Sequence, residues 1–129
     1  MLERVVYESE ATGRTDSLLN MATILAESQR NNARDGLTGA LAAHDGRFIQ
    51  VLEGAGVDID RLMRRLADDP RHREVTVLDR RPIDARTFGG WSMANARFRA
   101  DQAEALEAVL ASRSPDATVA ILRDALVDA

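Results

Sequence analysis

The sequence predicts an α+β fold: one sheet with two helices on one face, followed by a C-terminal helical extension. Three observations predict it. Runs rich in apolar and β-branched residues recur at Leu2–Tyr7, Leu37–Ala43, Phe48–Glu53 and Val75–Leu78. Between them, apolar residues repeat at helical spacing from Leu18 to Leu25 and from Ile59 to Leu66. An Asp45-Gly46 pair joins the second and third runs, the signature of a tight hairpin.

Taken in order, the first strand ends near Tyr7, and Glu8–Arg14 reads as a loop containing Thr12-Gly13. Thr15 or Asp16 caps the first helix, whose buried stripe is Leu18, Met21, Ala22 and Leu25, and Gly36 stops it. Two strands flank the His44–Arg47 turn. The second helix carries Ile59, Leu62, Met63 and Leu66 at i, i+3, i+4, i+7, and Asp68-Asp69-Pro70 ends it. A fourth strand spans Val75–Leu78; Pro82 and Gly89-Gly90 then mark a long loop before a short fifth strand, Trp91–Asn95. The order β-α-β-β-α-β plus one strand is the ferredoxin-like split βαβ pattern.

The tail is helical. Asp101 and Glu104 suggest a capping box for a helix bearing Leu106, Val109 and Leu110. Ser114-Pro115 opens another with Val119, Leu122 and Leu126 on one stripe. These stripes are expected to cover the open face of the sheet. Residues 1–97 would form the core domain and 98–129 an extension packed in the same compact unit. From Phe98 onward there are six acids and three arginines, so the tail carries most of the net charge of −4.

Composition narrows the chemistry. At 129 residues the chain forms one domain with a core that needs no staples. It has no cysteine, which excludes disulfides, thiolate metal sites and cysteine nucleophiles. It has no lysine either, so Schiff-base chemistry and a P-loop lysine are excluded. Two histidines, His44 and His72, are too few for a multi-histidine metal centre. The negative net charge argues against nucleic acid as a partner. No run of eighteen apolar residues occurs, and the N-terminus lacks a charged region followed by an apolar one. The expectation is a soluble, cytoplasmic protein with no membrane partner.

The informative residues are amides in apolar surroundings. Gln50 shares one strand face with Phe48 and Leu52, while Ile49 and Val51 take the other. A buried amide without a partner costs about 1–3 kcal/mol, so Gln50 must meet something. Asn32, read as lying just past the end of the first helix, poses the same question. Singly, each residue has an ordinary reading: Tyr7 a half-buried strand aromatic, Gln50 an edge amide, Asn32 a helix C-cap, Ile24 and Leu66 plain core. Asp69, Arg71 and His72 read as solvated surface, and Trp91 as core.

Together, Tyr7, Asn32, Gln50 and Trp91-Ser92-Met93 resemble the flavin site of BLUF domains, blue-light sensors that use FAD. The resemblance runs from about Leu2 to Met93 and implies a photoreceptor with no catalytic output of its own. It implies FAD, or FMN or riboflavin in its place, bound without a covalent link between the two helices. Ile24 and Leu66 would be the apolar jaws, Asn32 and Asn31 would meet the polar ring edge, and Asp69, Arg71 and His72 would lie near the ribityl chain and phosphate. Tyr7 would give an electron and then a proton. Gln50, carrying both a carbonyl acceptor and an amide donor, would reverse its hydrogen bonds by rotation or tautomerisation. Trp91 and Met93, placed on one face by strand alternation, would carry the signal towards the C-terminal helices. The output would pass to a separate effector protein, with the chain itself a homo-oligomer.

This sequence departs from the usual family pattern in three places. The loop after Tyr7 is about one residue longer, Leu41-Ala42-Ala43 stands where bulkier residues are frequent, and Leu66 replaces a frequent isoleucine. The rival reading is a small ferredoxin-like enzyme of acylphosphatase type, which needs Arg34 and Asn32 to converge on a phosphate. A flavin-free adaptor is a third. Paired-carboxylate catalysis among Glu8, Glu53, Asp68 and Asp69 lacks a nucleophile or metal beside it.

Overall fold

The computed structural model describes residues 2–12 and 18–126, with the side chains of 18–21 left aside. The expected first-helix cap at Thr15 or Asp16 lies outside the described residues, as do the side chains of Leu18 and Met21. Nine elements follow in chain order: β1 (Leu2–Ala11), α1 (Leu18–Asp35), β2 (Thr38–His44), β3 (Arg47–Ala55), α2 (Gly56–Ala67), β4 (His72–Pro82), β5 (Ala94–Ala96), α3 (Ala100–Ser112) and α4 (Pro115–Asp124). The strands form a single sheet in the order β4-β1-β3-β2-β5. β1 runs antiparallel to both its neighbours, and β5 joins β2 in parallel. This is the split βαβ arrangement with one added strand, as the sequence predicts.

Local chemistry explains the boundaries. Gly36, at φ +70°, ends α1 in the left-handed region, and the Leu37 N–H reaches back to Asn32 O at 2.8 Å. That six-to-one bond closes the helix as a Schellman motif. Asn32 therefore lies inside the last turn of α1, not just past its end, which rules out the ordinary reading of it as a C-cap. Asp45 and Gly46 both have positive φ, 51° and 77°, the geometry of a type I′ hairpin.

β1 and β4 are longer than expected. Glu8–Ala11, expected as loop, continues β1, and β4 extends on both sides of Val75–Leu78. Cross-strand ion pairs take the place of the missing apolar alternation. Arg73 bonds Glu10 at 2.7 Å, and Arg80 bonds Glu3 at 3.0 Å. β5 is shorter than expected and begins at Ala94, so Trp91-Ser92-Met93 precedes the strand. At α3 the N-cap is Arg99, whose backbone N–H donates to Gln102 Oε1 at 3.0 Å, in place of the expected Asp101/Glu104 box. At α4, Ser114 Oγ accepts from the Ala117 N–H at 3.3 Å with Pro115 in the first turn, as expected.

The sheet separates two cores. On one face Val5, Tyr7, Leu41, Phe48 and Leu52 meet Ile24, Leu25, Ile59, Leu62 and Leu66 of α1 and α2. On the other, Val6, Ala40, Ala42, Ile49 and Val51 meet Leu106 of α3 and Val119 and Leu122 of α4. The C-terminal helices thus cover the face the first two helices leave open. The small residues noted in β2 have a use there. Ala40 and Ala42 pair with Ala94 and Ala96 of β5, making a low floor beneath α4. Arg97 N–H donates to Ala125 O at 3.0 Å, closing the β5 edge. Among the described residues, no helix is long and apolar enough to cross a membrane.

Candidate flavin site

The register of β1 against β3 sets Tyr7 directly opposite Gln50. Both point to the α1/α2 face, and the Tyr7 hydroxyl donates to Gln50 Oε1. Tyr7 is fully buried and Gln50 is 7% exposed. Burial, with a smaller contribution from the charge of Asp69, holds the Tyr7 phenol well above its usual pKa of 10.0. It is therefore a neutral donor. With Oε1 engaged by the phenol, the two N–H groups on Nε2 are what Gln50 retains for other partners.

Gln50 lines a cavity of about 610 Å³ on the α1/α2 side of the sheet. Ile24, Asn31, Asn32, Leu66, Asp69, Arg71 and His72 line it too, so every expected cofactor contact is brought to one place. Apolar Ile24, Leu62, Leu66, Phe48 and Met93 alternate with amide groups around it. A flat ring with a polar edge suits this lining: the apolar side chains take its faces, and Gln50, Asn31 and Asn32 offer donors and acceptors. Sequence reading missed Ser28 and Glu27, although Ile24, Ser28 and Asn31 follow helical spacing along α1. It also passed over Phe48, which shares the strand face of Gln50.

Several expected roles change on contact with the structure. Asn32, 1% exposed, donates from Nδ2 to Ser92 O at 2.8 Å, and Gln29 Nε2 donates to Met93 O at 3.1 Å. On the β2 side, Gly39 N–H donates to Trp91 O at 3.1 Å. Three successive carbonyls of the segment before β5 are thereby held. Trp91 and Met93 do not share a face, contrary to expectation. Met93 lines the cavity, whereas Trp91 packs in the opposite core with the Arg123 guanidinium 5.4 Å from its ring centroid. The period of two fails because this stretch is not yet a strand.

His72 lines the cavity with both ring nitrogens already engaged. Nε2 lies 3.0 Å from Leu66 O, which can only accept, so Nε2 carries the proton. Nδ1 is engaged by Ser9 Oγ at 2.7 Å. His72 is left to touch a ligand through its ring, not by hydrogen bonds. Arg71 is likewise committed, to Asp69 at 2.6 Å and to Glu27 at 2.5 Å. Its hydrogen bonds hold the Asp69 carboxyl below the ordinary carboxylate range.

The rival arrangements are not assembled. Arg34 pairs with its neighbour Asp35 at 3.0 Å while Asn32 is turned to Ser92, so the two do not converge. Glu53 is fully buried and accepts from the Thr87 and Phe88 backbone N–H groups at 2.7 and 3.0 Å. Glu8 meets Arg47 elsewhere. Among the described residues, no group of three or more His, Cys, Asp or Glu side chains could hold a metal ion.

A buried phenol bonded to an amide at the wall of a flavin-sized cavity agrees with the comparisons. The chain belongs to the BLUF family, sensors of blue light using FAD, whose family model matches residues 2–94. The photoactivated adenylate cyclase subunit beta of Euglena gracilis is 34% identical over 96 residues, which are 74% of this chain and 11% of that protein. This chain thus spans about a tenth of the curated relatives it matches. Among solved structures, the dark state of BlrB, a BLUF protein, superposes with a TM-score of 0.78 at 32% identity, covering 96% of this chain and 93% of that one. The photo-activated state of BlsA gives 0.83 at 25% identity, covering 100% and 97%. The family is sensory and its cofactor is FAD; the BLUF region is a photoreceptor module, not an enzyme.

Proposed function

We propose that Tyr7 and Gln50 are the photochemical pair of this blue-light sensor, and that residues 91–93 carry the response to the C-terminal helices. One observation supports this most: the buried Tyr7 hydroxyl donates to the amide of a residue that itself lines the cavity. FAD held there, or FMN or riboflavin in its place, supplies the light-absorbing ring and the acceptor for an electron. Tyr7 is the donor. Loss of an electron makes a phenol a strong acid, and Gln50 Oε1 is the acceptor already in position. Gln50 would pass a proton from Nε2 on to the reduced ring, and so exchange its donor and acceptor ends at no change of charge. A carboxylate could not do so.

Ile24 and Leu66 serve as the apolar jaws, with Asn31 and Asn32 on the polar ring edge and Asp69, Arg71 and His72 towards the ribityl end. Asn32 has a second task. It reaches Ser92 while lining the cavity, so a change at the ring edge is felt by the segment before β5. Met93 stands on the cavity side and Trp91 against α4. We take residues 1–97 as the sensor and 98–129 as its output extension. The effector we propose is a separate protein. A homo-oligomer in the cytoplasm is the setting we propose, and the cysteine-free composition suits a reducing compartment.

The test is an absorption spectrum of the purified protein before and after blue light. Oxidised flavin with a small, reversible red shift is expected. Bleaching towards a single near-ultraviolet band is not, since the chain holds no thiol to form an adduct. A colourless protein that cannot be reconstituted with FAD would defeat the proposal.

A further inference from the structure

We infer that Glu27 sets the preference of this cavity between flavins: it occupies the Arg71 guanidinium where a phosphate ester would sit, and a phosphorylated flavin binds by displacing it. The inference rests on the proposed flavin site. Arg71 holds two carboxylates of unequal tenacity. Asp69 is two residues away, takes Nη2 at 2.6 Å and Nε at 3.0 Å, and also accepts the backbone N–H of Arg71 at 2.9 Å. That is a local loop structure and stays. Glu27 comes from α1, makes a single contact to Nη1 at 2.5 Å, and its side chain is 42% exposed. It is the exchangeable partner.

All three residues line the cavity, so the guanidinium ties α1 to the α2–β4 loop beside the site. With two carboxylates on one guanidinium the group carries a net −1. The other arginine of the lining, Arg65, is held by Asp35 at 3.2 Å. At Arg71, among the described residues, an arriving phosphate meets a guanidinium already outnumbered by carboxylates. It gains the Arg71 bond by giving up the Glu27 one, and its own charge meets the carboxylate it released. Arg71 therefore offers a phosphate little, and Glu27 is the reason.

The experiment compares dissociation constants of FMN and riboflavin for the full chain stripped of flavin, by fluorescence quenching, in wild type, Glu27→Gln and Arg71→Ala. The ratio of the two constants is the readout, because a merely structural tie between α1 and the loop would move both flavins alike. Glu27→Gln is expected to tighten FMN relative to riboflavin about 2- to 5-fold, the size of a partly exposed charge interaction. Arg71→Ala is expected to weaken FMN relative to riboflavin by a similar factor, since two carboxylates then face the phosphate alone. An unchanged ratio in Glu27→Gln, with both flavins still bound, overturns the inference and leaves the flavin site standing. Failure of both flavins to bind the wild type overturns the two together.

Discussion

On the α3/α4 face of the sheet the buried strand side chains are Val6, Ala40, Ala42, Ile49 and Val51, met by Leu106, Val119 and Leu122. One residue along, on the α1/α2 face, the same strands bury Tyr7 and Gln50, with Asn32 and His72 beside them. Among the polar groups of the first face, Thr118 Oγ1 donates to Ser114 O at 2.9 Å, one turn back, and the buried Glu53 carboxylate accepts from the Thr87 and Phe88 N–H groups. Those of the second bond across elements, Tyr7 to Gln50 and Asn32 to Ser92. One face excludes water by shape and holds the fold. The other accepts the cost of buried polar groups because each has a partner and several border a cavity. Stability and photochemistry can therefore be perturbed separately.

The largest effect should come from the dry face. Leu122→Ala removes a fully buried side chain above the alanine floor and should destabilise the fold by about 2–5 kcal/mol. Denaturant unfolding measures the loss; flavin affinity of the folded fraction should not follow it. On the other face the order reverses. Asn32→Ala should weaken flavin binding by roughly 5- to 150-fold, the equivalent of about 1–3 kcal/mol for a lost buried polar contact. Equilibrium dialysis would show it, and unchanged affinity would reduce Asn32 to a tie between α1 and Ser92.

Smaller effects sharpen the contrast. Arg123→Ala deletes the cation over Trp91 and should cost about 0.5–1 kcal/mol in unfolding experiments, with the dark flavin spectrum unchanged. Smallest is the response to pH. The folded-state pKa of Tyr7 lies above 10.0, so folded and unfolded chains bind its proton equally below that value and it adds no slope. Above pH 10 the unfolded chain loses that proton first, and stability falls. Tyr7 should therefore add no slope to stability from pH 6 to 9, and a slope in that window lost in Tyr7→Phe would contradict the neutral, buried phenol.

What could be read from the residues follows the same division. Strand alternation and the split βαβ order allowed the Tyr7 face to meet Gln50 and assigned Ile49 and Val51 to the far side. The helical stripes of α2 and of α4 up to Leu122 were equally plain, because apolar periodicity is a physical cause of packing, but Leu126 lies beyond α4 in a bridge to Ala96. Three things were not legible. The ends of β1 and β4 are held by Arg73–Glu10 and Arg80–Glu3, and charged cross-strand partners leave no apolar pattern. The split of Trp91 from Met93 arises in an irregular segment, where no period applies. Asn32 sits in the last turn of α1, shown by the Leu37 N–H bond back to its carbonyl, which no residue pattern displays. His72 and Arg71 matched family positions, but spacing says nothing of Ser9, Leu66 or Glu27, the partners that already occupy them.

The most direct measurement is a light-minus-dark absorption spectrum of Gln50→Ala and Tyr7→Phe, each loaded with flavin, beside the wild type. Alanine at position 50 removes the amide that exchanges its hydrogen bonds; phenylalanine at position 7 keeps the shape and removes the hydroxyl. Neither change touches Ile24, Leu66 or Asn32, so both variants should bind oxidised flavin. The account predicts a reversible red shift in the wild type and none in either variant. A normal, reversible red shift in either one would contradict the role given to that residue.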